Sequence, residues 1–132
     1  MHKPKIPFFA YVDPDAFEKI LSNLFNNAIK YCEDTVIVKL LPSQETNQNF
    51  TVLFMNNGYM ISPDLKETIF EPFFRIKETE KQLGTGIGLQ LSRSLAELHK
   101  GTLKLIEPIA NFNVFSLILP TYQEHELGSD RE

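Results

Sequence analysis

Gly84-Thr85-Gly86-Ile87-Gly88-Leu89 places three glycines at alternate positions just before an apolar-periodic run. Without a Cβ, glycine lets backbone N–H groups approach a ligand closely and permits φ > 0. A helix beginning there adds unpaired N–H groups and the positive end of its dipole. Together they can cradle a phosphate. Three readings compete. A Walker loop ends in Gly-Lys followed by Ser or Thr, and no such pair follows these glycines. A dinucleotide fingerprint needs a buried strand just upstream, yet Arg75 to Gln82 reads Arg-Ile-Lys-Glu-Thr-Glu-Lys-Gln. The third reading is a flexible loop ahead of an ordinary helix.

A second set of polar residues lies upstream. Asn23, Asn27 and Lys30 fall at i, i+4 and i+7 and so share one stripe of a helix. With 3.6 residues per turn the stripe lies roughly 130° from the centre of the apolar face, bordering the core. Asparagine is about 0.5 kcal/mol or more worse than alanine in a helix, so Asn23, Asn26 and Asn27 together oppose local propensity. One reading is a solvated polar face. The other is a row of neutral amides beside a cation and phosphates. An amide oxygen is a hard ligand suited to Mg²⁺, and Lys30 would offer a point charge to phosphate. A third candidate is Asn56-Asn57-Gly58 at a strand end. Asn-Gly there is a common turn signal; alternatively, a side-chain amide could meet an exocyclic amine.

The elements that position these residues follow from periodicity. Asp13 offers an N-cap and Pro14 a first helical residue. Phe17, Ile20, Leu21, Leu24, Phe25, Ala28 and Ile29 then mark a buried face to about Tyr31. Ile6 to Val12 reads as a short strand. Asp34 to Leu41 and Phe50 to Met55 read as a hairpin across the polar loop Pro42 to Asn49. Ser62-Pro63 caps a short helix, Asp64 to Phe70. Phe70, Phe73 and Phe74 read as core, and Arg75 to Leu83 as a mobile loop. Ile87, Leu89, Leu91, Leu95 and Leu98 predict a last long helix. Gly101 is its expected C′ residue, and His99 a cation at the negative helix end. Thr102 to Glu107 and Asn113 to Leu119 predict a second strand pair. Thr121 to Glu132 reads as a polar linker or disordered tail, leaving one domain over residues 1–120.

The chain has 132 residues, 42% of them hydrophobic, with eleven Phe, enough for a packed core. The net charge of −4 argues against broad attraction to nucleic acid or a membrane surface. The single Cys32 excludes an internal disulfide and suits a reducing compartment. No apolar run approaches about 18 residues. Met1-His2-Lys3-Pro4 lacks the apolar stretch of a leader, and the abrupt start suggests a fragment of a longer protein.

In order, these stretches resemble the four motifs of the ATP-binding catalytic domain of sensor histidine kinases. That domain belongs to the Bergerat-fold superfamily shared with gyrase, Hsp90 and MutL. Asn23 to Tyr31 is similar to the N box, and Asn56-Asn57-Gly58-Tyr59-Met60-Ile61 to the first glycine box. Ile69 to Arg75 is similar to the F box, and Gly84 to Leu89 to the second glycine box. The resemblance runs from about Val12 to Pro120. In detail it is nearest the large hybrid sensors of gut Bacteroides-type bacteria. It implies an α/β two-layer sandwich, with a mixed sheet covered on one face by two long helices.

The resemblance also implies roles. Asn27 would be the Mg²⁺ ligand, Asn23 and Lys30 would face the phosphates, and Tyr31 the ribose or phosphate edge. Asn56, with Gly58 beside it, would bind the adenine amino group. Ile61 and Phe70 would line the adenine pocket or its rim. Gly84, Thr85, Gly86, Ile87, Gly88 and Leu89 would hold the triphosphate through backbone N–H groups. Arg75, Lys77 and Lys81 would neutralise charge on the γ-phosphate. The implied cofactors are ATP and Mg²⁺. The implied partners are a His-containing dimerisation domain and a response-regulator receiver domain, in the cytoplasm below an inner-membrane sensor. Nucleic acid and direct membrane contact are not expected.

Several positions depart from the family pattern. Asn56 stands where Asp is usual, Met60 replaces a glycine, Asn113 stands where a glycine is common, and the lid is short. A neutral acceptor bonds an amine about half as strongly as a carboxylate, so weakened rather than abolished binding is expected. Relatives that hydrolyse ATP usually carry a Glu base four residues before the Mg²⁺ Asn. Asn23 cannot take that proton, which suits a kinase that protects its γ-phosphate. None of His2, His99 or His125 sits in a His-Glu context on a long amphipathic helix, so the chain is expected to lack the phosphoacceptor. The rival readings are a degenerate interaction module and a gyrase-type ATPase.

Overall fold

The computed structural model describes residues 10, 12–42, 48–74 and 88–121. Helix α1 spans Pro14–Tyr31, and Asp13 caps it, its Oδ1 accepting from the Asp15 and Ala16 N–H groups at 3.0 and 3.3 Å. The cap satisfies two of the donors that every helix start leaves unpaired. Strands β1 (Val36–Pro42) and β2 (Asn49–Asn56) form the first hairpin. Helix α2 covers Gly88–Leu98, and β3 (Thr102–Ile109) and β4 (Phe112–Pro120) close the chain.

The strand order is β1-β2-β4-β3, and every pairing among the described strands is antiparallel. A mixed sheet is expected from the resemblance; the four described strands pair antiparallel, and the expected strand Ile6 to Val12 falls mostly outside the described residues. The two-layer sandwich stands. The face carrying Phe50, Val52, Phe54, Leu103, Phe115, Leu117 and Leu119 packs against Ile20 and Leu24 of α1 and Ala96 of α2. Leu53, Met55 and Val114 form a smaller cluster on the opposite face.

Differences from the expected pattern have local causes. Ile20, Leu24 and Ala28, four apart, carry the buried line of α1, whereas Phe25 and Ile29 are 44% and 55% exposed. They flank that line, and Phe25 only edges over Phe54 with ring centroids 6.2 Å apart. Leu98 is 74% exposed: it lies roughly 140° round the helix from the line of Ser92 and Ala96, both fully buried. The expected helix Asp64 to Phe70 is two 3₁₀ turns, Pro63–Leu65 and Thr68–Phe70. Their i→i+3 bonds, Lys66 N–H to Pro63 O and Glu71 N–H to Thr68 O, suit a segment too short for a stable α-helix.

Helix α2 ends in a Schellman pattern. Gly101 N–H donates to Ala96 O and Lys100 N–H to Glu97 O. The left-handed residue is Lys100 (φ 64), not the expected Gly101. Gly101 is required for another reason: a Cβ there would lie 2.2 Å from Ile118 O. His99 Nδ1 donates to Leu95 O at 2.8 Å at the helix end. Pro108 brings no ladder donor to β3, and the β3–β4 register shifts between Ile106 and Ile109.

Candidate functional site

The stripe on α1 survives as geometry. Asn23, Asn27, Lys30 and Tyr31 are all half-buried. The Nδ2 of Asn23 is fully buried and has no hydrogen-bond partner among the described residues. A buried amide donor left unpaired costs about 1–3 kcal/mol, so it marks a place where an acceptor fits. Lys30 Nζ lies 5.1 Å from the centre of the Tyr31 ring, a cation–π contact at the helix end. An unspent N–H donor and an ammonium two turns further along the same stripe favour an anionic oxygen ligand.

The last turn of α1 meets the end of β2. A Cβ on Gly58 would fall 1.7 Å from the Tyr31 carbonyl oxygen, so only glycine fits. Gly58 therefore docks the helix stripe against the strand end. Asn57 fastens the same junction. Its Oδ1 accepts from the N–H groups of Glu33, Asp34 and Thr35 at 3.1, 3.1 and 3.0 Å. Its Nδ2 donates to Asp34 Oδ1. Hydrogen bonds from Thr35 and then Asn57 hold the Asp34 carboxyl below its ordinary value of 3.8, against a small opposing effect of desolvation.

Asn56 and Asn113 build the floor beside that junction, and both are buried. Backbone N–H groups can only donate, so they identify the amide oxygens. Gly58 N–H donates to Asn56 at 3.1 Å, and Ile61 N–H donates to Asn113 at 2.9 Å; the atoms they meet are Oδ1. Asn113 Nδ2 then donates to Tyr59 O at 2.8 Å and to Asn56 Oδ1 at 3.3 Å. The Asn56 oxygen thus already accepts two protein donors. A cavity of about 170 Å³ adjoins this floor, lined by Ile61, Pro63, Leu105 and Asn113 among others.

The F-box phenylalanines part company. Phe70 is a core residue, edge-on to Phe115 and capped by Arg93, whose guanidinium lies 4.4 Å from the ring centre. It does not line the cavity at Ile61. Phe74 packs against the core, while Phe73 is 72% exposed with φ 66. Phe74 N–H donates to Glu71 O, closing a turn in which Phe73 holds the place glycine normally takes. A left-handed non-glycine costs roughly 1–2 kcal/mol.

Arg75, Lys77, Lys81, Gly84, Thr85, Gly86 and Ile87 lie outside the described residues, as does the loop expected to be mobile. Gly88 is the first residue of α2, with no described residue within 4 Å of a Cβ built on it, and the Leu89 side chain packs on the core. The described residues contain no cluster of three His, Cys, Asp or Glu able to hold a metal. None of their helices is long and apolar enough to cross a membrane. Sequence reasoning did not give Asn57 or Asn113 a role. The signal for Asn113 was its place in a strand, where asparagine is depleted.

Residues 12–123 match the family described as histidine kinase-, DNA gyrase B-, and HSP90-like ATPase. The chain is 32% identical over 113 residues to the adaptive-response sensory kinase SasA of Synechococcus sp. (strain JA-2-3B'a(2-13)), covering 86% of this chain and 30% of SasA. It is 36% identical over 96 residues to sensor protein RstB of Escherichia coli (strain K12), covering 71% of this chain and 22% of RstB. It thus spans less than a third of either relative. Among solved structures, the catalytic domain of histidine kinase ThkA superposes with a TM-score of 0.68 at 31% identity, covering 86% of this chain and 72% of that one. The mycobacterial sensor histidine kinase MprB gives 0.77 at 22% identity, covering 86% and 78%, a likeness of fold.

Proposed function

Because the chain belongs to the histidine kinase-, DNA gyrase B-, and HSP90-like ATPase family, we propose that it is the nucleotide-binding catalytic domain of a two-component sensor kinase. It would present Mg·ATP for phosphoryl transfer to a histidine on a separate dimerisation domain, from which a receiver domain is then charged. The observation that carries this reading is the buried, unpartnered Asn23 Nδ2 on the helix face that also bears Asn27 and Lys30.

The donor chemistry fits the implied ligands. Asn27 offers a hard amide oxygen, and Mg²⁺ ordinarily takes few protein ligands and completes its shell with water and phosphate oxygens. When bound, the ion would neutralise charge on the phosphates. Asn23 Nδ2 would donate to a phosphate oxygen, and Lys30 would add a positive charge. Asn23 cannot act as a general base, so an attacking water is not activated there. This favours the kinase over the gyrase-type ATPase. Catalysis in such a site is positioning and charge neutralisation, which α1 supplies by holding the stripe rigid. Arg75, Lys77 and Lys81 remain proposed γ-phosphate contacts. Gly84, Thr85, Gly86, Ile87 and Gly88 remain a proposed phosphate cradle. We further propose a cytoplasmic domain of an inner-membrane hybrid sensor of Bacteroides type; the two relatives named above come from a cyanobacterium and from E. coli.

Calorimetric titration of a non-hydrolysable purine nucleoside triphosphate into wild type and Asn27→Ala tests the reading. Binding that needs Mg²⁺ and is lost in folded Asn27→Ala is expected. No binding at millimolar nucleotide would instead favour the degenerate interaction module.

A further inference from the structure

The helix layer stops short of one edge of the sheet. Helix α1 lies over β2 and α2 over β3 and β4, leaving β1 at the margin. Val38 and Leu40 pair across the ladder with Phe54 and Val52, so they share the face that carries the core. Unlike those partners, they are 40% and 49% exposed. Phe25 of α1 is edge-on to the same Phe54, and the exposed Ile29 follows one turn on along that flank. Scattered apolar residues are ordinary on a surface, whereas a strip of four along one edge marks a contact site.

The strand beside the strip is also an open edge. Among the described residues β1 pairs with β2 alone, so its outer row of N–H and C=O groups has no strand partner there. A docked helix would cover the strip and leave that row unpaired. An extended segment laid along β1 would satisfy the backbone and cover the strip together. Charge then selects the segment. Lys39 lies between Val38 and Leu40 and faces the other side of the sheet, opposite Leu53. It is exposed and forms no ion pair with a described residue. A second copy pairing antiparallel about Lys39 would set two ammonium groups opposite each other, which is unfavourable. A segment with an acidic residue between two apolar ones fits both faces. Its apolar pair meets Val38, Leu40, Phe25 and Ile29, and its carboxylate meets Lys39.

We propose that the free edge of β1 docks an extended segment of a partner polypeptide, of the pattern apolar–acidic–apolar, added as a strand beside β1. Phe25 and Ile29 are each two positions from Asn27, roughly 160° round α1. The edge therefore faces away from the proposed phosphate contacts, and the inference does not rest on them.

The test is NMR titration of the isotope-labelled chain with two end-capped peptides, Ser-Val-Glu-Val-Thr and Ser-Val-Lys-Val-Thr, which differ only at the centre. The glutamate peptide should shift the backbone amide signals of β1 and the side-chain signals of Phe25 and Ile29. It should bind about fivefold tighter than the lysine peptide, and Lys39→Glu should reverse that order. Equal binding of the two peptides by wild type overturns the acidic pattern. No shift in β1 at millimolar glutamate peptide overturns the docking site. A dimer in sedimentation, with β1 signals broadening as the chain is concentrated, would give the edge to a second copy and overturn the proposal as well. The wild-type peptide pair decides the matter even if Lys39→Glu fails to fold.

Discussion

Asparagine does opposite work at the two ends of this site. At the β2 end the amides are spent on the protein: Asn57 receives three backbone N–H groups, and Asn113 ties Tyr59, Ile61 and Asn56 together. On α1, Asn23 keeps a buried donor without a partner among the described residues. Spent amides make a scaffold. An unspent one, held at a cost in stability, is what the proposed phosphate contact requires. The residue type is the same, so only the local bonding separates the roles.

The largest expected effect lies at the contact joining the two regions. Gly58→Ala forces a methyl into the Tyr31 carbonyl, and should cost about 3 kcal/mol or more, read as a fall in thermal midpoint of about 10 °C. Asn57→Ala follows. It strips three backbone donors of their acceptor in an exposed loop, and about 1–3 kcal/mol is expected from denaturant unfolding. An unchanged midpoint would remove Asn57 from the scaffold class.

Asp34 gives a smaller, pH-dependent effect. Its folded pKa is lowered, so the stability it adds is complete above its ordinary value of 3.8 and fades as pH falls through the folded value. The stability difference between wild type and Asp34→Ala should therefore shrink below that pH, as measured by urea unfolding across the acid range. The smallest effect concerns Ser92, whose hydroxyl is buried with no partner among the described residues. Ser92→Ala should be neutral or stabilising by up to about 1 kcal/mol, because it removes an unpaired polar group without a ligand role.

Much of this arrangement was legible in the sequence. The Asp13-Pro14 cap, the buried line of α1 and both hairpins follow from periodicity and end signals. The polar stripe follows from spacing alone. The rest depended on tertiary contacts that no local pattern encodes. Asn56-Asn57-Gly58 reads as a turn, yet Gly58 is fixed by a helix carbonyl 27 positions earlier, and Asn57 by the loop after α1. Phe73 and Leu98 read as core because spacing reports apolar character, not which side the neighbours occupy. Asn56 reads as a strand-end amide, and its bond from Asn113, in β4, depends on a strand pairing 57 positions away that no local pattern encodes.

The most direct measurement is thermal unfolding of wild type, Asn23→Ala and Asn57→Ala. Each is followed with and without Mg²⁺ and adenosine diphosphate. A ligand at a hundred times its Kd adds about 2.7 kcal/mol, a shift of several degrees. The account predicts that Asn23→Ala unfolds at or above the wild-type temperature without ligand and loses most of that shift. Asn57→Ala should unfold lower and keep it. The reverse pattern, with Asn23→Ala destabilised yet fully responsive to nucleotide, would contradict the division between reserved and spent amides.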